Sequence, residues 1–123
     1  MLKLDSKMKH TLLIIFFLFF GRLSSAQEIS CQKLYETITS QYDSESSVSC
    51  IGSSLLAKAT YYTLDDMGFV IAYIKENEYD INGKPYIFCG ISSQRWSYFK
   101  SDGIYSWGKS FHKYIRDYTC NCY

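Results

Sequence analysis

A chain of 123 residues with 13 Lys and Arg against 12 Asp and Glu has room for one domain and no large excess of either charge. The first 26 residues read as a leader, and losing Lys3, Lys7, Lys9, Arg22 and Asp5 with them turns the formal charge from +1 to −2. A net-acidic chain lacks the long-range attraction that phosphate-binding proteins rely on, which argues against nucleic acid as the partner.

In the leader, Lys3, Lys7 and Lys9 form a basic start and Leu12 to Phe20 is an unbroken apolar run of nine residues. Leu23-Ser24-Ser25-Ala26 then supplies the small residues of a cleavage site. That is the pattern of a secretory signal peptide over residues 1–26, cut after Ala26. The run is far short of the roughly 20 residues that cross a bilayer, so cleavage is expected to leave no transmembrane segment. Gln27 and not Cys stands directly after the cleavage site, which argues against a lipid anchor, and Met8, followed by Lys9, is a second possible start. The expected address is the bacterial periplasm or the medium. All five cysteines (Cys31, Cys50, Cys89, Cys120 and Cys122) lie in the mature part, where an oxidising compartment permits disulfides. A core of this size is marginal; disulfides, with all 12 Tyr and both Trp in the mature part, offset that.

Residues 27–52 read as an N-terminal helix and a loop. Cys31, Leu34, Tyr35, Ile38 and Tyr42 fall on one helical stripe, Ser30 is the expected cap, and Asp43 to Ser49 is Ser-rich and acidic with nothing to bury. Residues 53–63 turn β-branched and aromatic, a first strand. Leu64 to Gly68 is a turn, and Phe69 to Ile74 is a strand apolar on both faces and therefore central. Asn82-Gly83 marks the next turn. Pro85 opens a third strand in which Tyr86 and Phe88 face one way and Ile87, Cys89 and Ile91 the other. Ser93 to Lys100 is a short helix ended by Asp102-Gly103. Gly108 then turns the chain, and Ser110 caps a last helix to Tyr118 whose Phe111, Tyr114, Ile115 and Tyr118 share one face. Connections this short favour an antiparallel sheet. The expected fold is α+β, a three-stranded antiparallel meander covered by an N-terminal helix and one or two C-terminal helices, and stapled by disulfides.

From Ser53 to Tyr118 the chain resembles the KTSC domain, a small module found alone in bacterial proteins and at the end of some lysyl-tRNA synthetases. Ser53-Ser54 with Tyr61-Tyr62, the strand Phe69, Ile71 and Tyr73, and Tyr86-Ile87-Phe88-Cys89-Gly90-Ile91 carry the likeness. Ser106 and Gly108 followed by Phe111, Tyr114, Ile115 and Arg116 close it. Residues 53–123 are on this reading a KTSC-like domain with a Cys-containing tail. Glu76 to Ile81 looks like an insertion, His112 stands for the usual Asn, and Phe88 for the second Tyr. The resemblance implies a sheet-plus-helix fold and a weak link to nucleic acid; it brings no catalytic residue.

Chemistry is hard to place on these residues. Gly103 to Ser110 fits G-x-x-x-x-G-K-S. A nucleotide loop needs a later strand with a metal-binding Asp, and only 13 residues follow Ser110. Gly108 as a turn and Ser110 as a cap explain the pattern without nucleotide. His112 is the only mature His, so no multi-His metal site can form. Asp65-Asp66 and Glu76 with Glu78 read as solvated turn residues. No cofactor and no metal are expected, and no enzymatic activity.

Pairing arithmetic leaves one free thiol. The expected bridges join Cys31 and Cys50 to Cys120 and Cys122, with Cys89 free on the aliphatic side of its strand. Arg95, Trp96, Lys109, Lys113 and Arg116 form the candidate binding surface, basic groups interleaved with aromatics beside Lys100, Tyr105 and Trp107. An ordinary solvated helix face is the competing reading. The expected function is a small exported, non-catalytic binding domain with a protein partner in the envelope or outside the cell. The alternative is a periplasmic immunity or inhibitor protein that neutralises an enzyme.

Overall fold

The computed structural model describes residues 29–122, so the expected signal peptide at 1–26 lies outside the described residues. The first helix, α1, covers Cys31–Gln41, and the Ser30 hydroxyl caps it by accepting the Lys33 N–H at 3.0 Å. Ile38 of the apolar stripe is fully buried, Leu34 and Tyr35 are half-buried, and Tyr42 already reaches solvent.

The Ser-rich stretch is not a loop. Ser44–Ser49 is strand β1, paired antiparallel along its length with β2 (Leu56–Leu64), from Ser44 opposite Thr63 to Ser49 opposite Lys58. The stretch carries no apolar pattern because it is held by its main chain and by hydroxyls. Ser44 bonds Thr63 and Ser47 bonds Thr60 across the strands, and Ser46 accepts the Trp96 indole N–H at 3.3 Å. The sheet therefore has four strands in the order β1-β2-β3-β4, all antiparallel, with β3 at Met67–Ile74 and β4 at Lys84–Cys89. Asp65 and Asp66 both take positive φ, 52° and 64°, the two-residue turn whose twist suits a hairpin.

The two central strands are buried on both faces and separate two cores. On one side Tyr62, Phe69 and Ile71 pack with Ile38 of α1. On the other, Tyr61, Val70, Ala72 and Phe88 pack under helices α2 (Ser93–Gly103) and α3 (Trp107–Tyr114), with Trp96, Phe99, Phe111 and Ile115 buried. Phe88 and Cys89 alternate as expected, but Ile91 joins Phe88's side because Gly90, at φ 72°, breaks the strand between them. Gly68 admits no side chain, since a Cβ there would lie 1.9 Å from the Ile91 carbonyl oxygen.

The C-terminal helix starts one turn earlier than its sequence suggests. Ser106 is the cap, accepting the Lys109 N–H at 3.3 Å, and Gly108 lies inside the helix. Ser110 is buried, and its hydroxyl donates to the Phe99 carbonyl at 2.8 Å, tying α3 to α2. The helix ends at Tyr114, so Tyr118 belongs to the tail. Phe111 meets Phe88 edge-on at 5.4 Å and Ile115 is fully buried. Gly103 is a packing glycine, because a Cβ would sit 2.1 Å from the Trp107 ring.

The disulfides are Cys31–Cys122 and Cys89–Cys120, and Cys50 is the free, buried thiol. The expected partnership of Cys50 with the tail and the expected free Cys89 are both corrected. Beyond α3 the tail runs antiparallel beside β4, with Thr119 opposite Phe88 and the Cys89 N–H donating to the Tyr118 carbonyl at 2.8 Å. This places Cys120 against Cys89, on the face that α1 covers. Cys50 sits on the opposite face among the α2 and α3 core residues, out of the tail's reach.

Candidate functional site: the loop end of the sheet

The basic surface read from the sequence comes apart in three dimensions. The Arg95 guanidinium donates to the Tyr114 carbonyl at 3.3 Å and lies 4.4 Å from the Tyr118 ring centre, closing the end of α3. Trp96 is buried, stacked on Tyr61 at 5.4 Å and on Phe99 at 5.3 Å. Arg116 is exposed and lies 3.3 Å from His112. Lys109 and Lys113, one turn apart on α3, share an exposed stretch, and Arg116 follows beyond the end of the helix. The motif residues are mainly structural as well: Phe88, Phe111 and Ile115 form core, Ser106 caps, and Gly108 faces Leu55, while Tyr86 is 44% exposed.

Nor do reactive groups converge. Among the described residues no three His, Cys, Asp or Glu side chains gather as metal ligands, and every buried side-chain nitrogen and oxygen has a hydrogen-bond partner. Burial pushes the Cys50 thiol up to about 12, so at neutral pH it is protonated and a poor nucleophile. A hollow of about 300 Å³ between α1 and β4 is lined by Tyr35, Pro85, Tyr86 and Thr119 and has no charged side chain to orient a ligand.

The exposed apolar surface lies elsewhere. Antiparallel pairing sends the β1–β2 connection (50–55) and the β3–β4 connection (75–83) out of the same end of the sheet. The turn between α2 and α3 meets the first of these. Together they form a groove of about 300 Å³ lined by Ile51, Ser53, Ser54, Ile104, Tyr105 and Ser106. A second hollow continues along α3 past Tyr105 and Ser106 to Lys109 and Lys113. The five most exposed large apolar side chains among the described residues are all at this end: Ile51 85%, Tyr79 85%, Ile81 84%, Ile104 71% and Tyr105 87%.

These side chains stand on fixed backbone. The Ser53 hydroxyl accepts the Leu55 and Leu56 N–H groups at 3.1 and 3.0 Å. The Lys75 ammonium donates to the Ser53 carbonyl at 2.9 Å and the Lys75 N–H to the Leu55 carbonyl at 2.8 Å, which ties the two connections together. Asp80 organises the longer one. Its carboxylate accepts the Gly83 N–H at 3.0 Å and the Glu76 N–H at 3.1 Å, and these bonds hold the carboxyl below its ordinary range. The Asn77 side chain accepts the Tyr79 N–H at 2.9 Å. Gly83 closes the loop at φ 72°, against the Tyr73 backbone where a Cβ would clash. Apolar groups held out on an ordered loop have little conformational freedom to lose on docking.

No family model, no curated protein and no solved structure matches the chain. The fold and this surface define a class: a disulfide-stapled α+β domain with a braced, loop-borne apolar surface. Two disulfides point to an oxidising environment. No described helix is long and apolar enough to cross a membrane. Ile51, Tyr79, Ile81 and Ile104 were not legible as a site, because each is a lone apolar residue in a turn and periodicity says nothing about such positions. The available signal was their neighbours: Gly52, Asp80, Asn82-Gly83 and Gly103 mark loops in which an apolar side chain has no core to enter.

Proposed function

We propose that this chain is a non-catalytic interaction domain of the KTSC type, exported by the leader at 1–26, that binds a protein in the envelope or outside the cell through the loop end of its sheet. The observation that carries this is the gathering of the five most exposed apolar side chains on two connections braced by Lys75. Interfaces concentrate their energy in a few aromatic and apolar anchors, and Tyr79 and Tyr105 have that character. The mature charge of −2 and the structural employment of Arg95 and Trp96 weigh against nucleic acid. The ordered acidic loop favours one second reading, an inhibitor or immunity protein that inserts this loop into an enzyme. A toxin gene beside this one would select that reading.

The test is affinity capture from envelope and secreted fractions with the mature, oxidised chain. The bait is compared with an Ile104→Asp/Tyr105→Asp variant, both sites being exposed and tolerant of charge. A protein retained by the wild type and lost with the variant is the expected result. Equal retention by the two refutes the assignment of the surface.

A further inference from the structure

The loop end carries two surfaces of opposite character. The 75–83 connection offers Tyr79 and Ile81 flanked by exposed Glu76 and Glu78. The groove offers Ile51, Ile104 and Tyr105, and its continuation along α3 presents Lys109 and Lys113. Each surface pairs an apolar patch with two like charges, and the signs are opposite. Two further carboxylates lie nearby. Asp80, held by the Gly83 and Glu76 amides, adds to the acidic side. Asp102, which also lines the α3 hollow and accepts the Tyr114 hydroxyl at 2.7 Å, leaves the two lysines there in excess by one charge.

Resting on the reading of this end as a docking surface, we infer that its occupant is a second copy of the chain, related by a two-fold axis, with the acidic loop of each copy in the groove of the other. Complementary surfaces on one molecule make either open chains or closed rings, and their relative placement decides which. Here both lie at the same end of the sheet and are tied together through Lys75 and Ser53. An end-to-end pair therefore engages both surfaces at once and closes at two copies. It covers all five exposed apolar side chains and matches two glutamates with two lysines in each half. Since the mature chain is net-acidic, general attraction between copies is absent. The pairing depends on these local charges and weakens with salt.

The experiment is sedimentation velocity on the mature, oxidised chain between about 5 and about 500 μM, at low and high salt. A monomer–dimer equilibrium that shifts to monomer with added salt is expected. Glu76→Lys/Glu78→Lys and Lys109→Glu/Lys113→Glu, all at exposed sites, should each weaken the dimer by about tenfold or more. An equimolar mixture of these two variants should recover a one-to-one dimer, because both contacts regain opposite signs. A chain that stays monomeric, a dimer indifferent to both variants, or a mixture without recovery overturns the inference. A monomer that still captures a different protein through Ile104 and Tyr105 removes the self-pairing and keeps the docking surface. One that captures nothing removes both.

Discussion

Replacing Cys31 and Cys122 by Ala removes the bridge that fastens α1 to the tail. The two cysteines are 91 residues apart, but the other bridge, Cys89–Cys120, shortens the route between them in the unfolded chain. The path runs from Cys31 to Cys89, across that bridge, and on to Cys122, a loop of roughly sixty residues for which chain entropy gives about 4 kcal/mol. The same relation gives about 3.7 kcal/mol for the 31-residue separation of Cys89 and Cys120. The two deletions should thus cost nearly the same despite a threefold difference in sequence separation. A loss of about 4 kcal/mol lowers Tm by roughly 15–30 °C in a domain of this size. Urea unfolding followed by the fluorescence of Trp96 and Trp107 reads both the midpoint and the slope in one titration. A loss below about 1 kcal/mol at unchanged slope would refute the reasoning. A reduced slope would show instead that α1 detaches separately.

Three further outcomes follow from the packing and the titrating groups. Ile115→Asp strands a carboxylate in the core beneath α3 and should cost several kcal/mol; unchanged thermal melting would contradict the packing, and Ile115→Val, at about 1 kcal/mol, is the conservative control. The Cys50 thiol should resist iodoacetamide in the native oxidised protein at pH 8 and label once in denaturant. Its folded pKa is raised from 9.0 to about 12, so stability should fall as pH rises between those values, where only the unfolded thiol ionises. Asp80 shifts the other way: its ordering of the loop is present above its ordinary 3.8 and is lost as pH falls through the lower folded value. Amide shifts of Glu76 and Gly83 followed by NMR should titrate with a midpoint below 3.8, and Asp80→Ala should abolish their protection at neutral pH.

The parts of this fold that were legible in the sequence are those where burial imposes a period. The α1 stripe from Cys31 to Tyr42, of which Ile38 is the fully buried member, and the doubly buried β3 are such cases, and so is the alternation through Ile87 and Phe88, while the Ser30 cap was legible from its hydroxyl. Strand β1 was hidden because its partners are hydroxyls and main chain, which leave no apolar rhythm. The start of α3 was misplaced because two serines four residues apart both suit a cap, and only the packing against Phe99 shows that Ser110 is the inner one. The cysteine pairing depended on which face of the sheet each sulfur occupies, and that was settled by the tail running back along β4. The basic surface failed for a related reason. Clustering in sequence put Arg95 and Trp96 beside Lys109, whereas the fold uses both to close α3 and fill the core.

The central claim, that the loop end is where this protein meets a protein, is tested most directly by hydroxyl-radical footprinting of the free chain and of the complex it forms. Ile51, Tyr79, Ile81, Ile104 and Tyr105 should react readily in the free chain and be protected together on binding, while Met67 and Tyr98, exposed elsewhere, keep their reactivity. Protection at Met67, Tyr86 or Tyr98, with these five unchanged, would contradict the account.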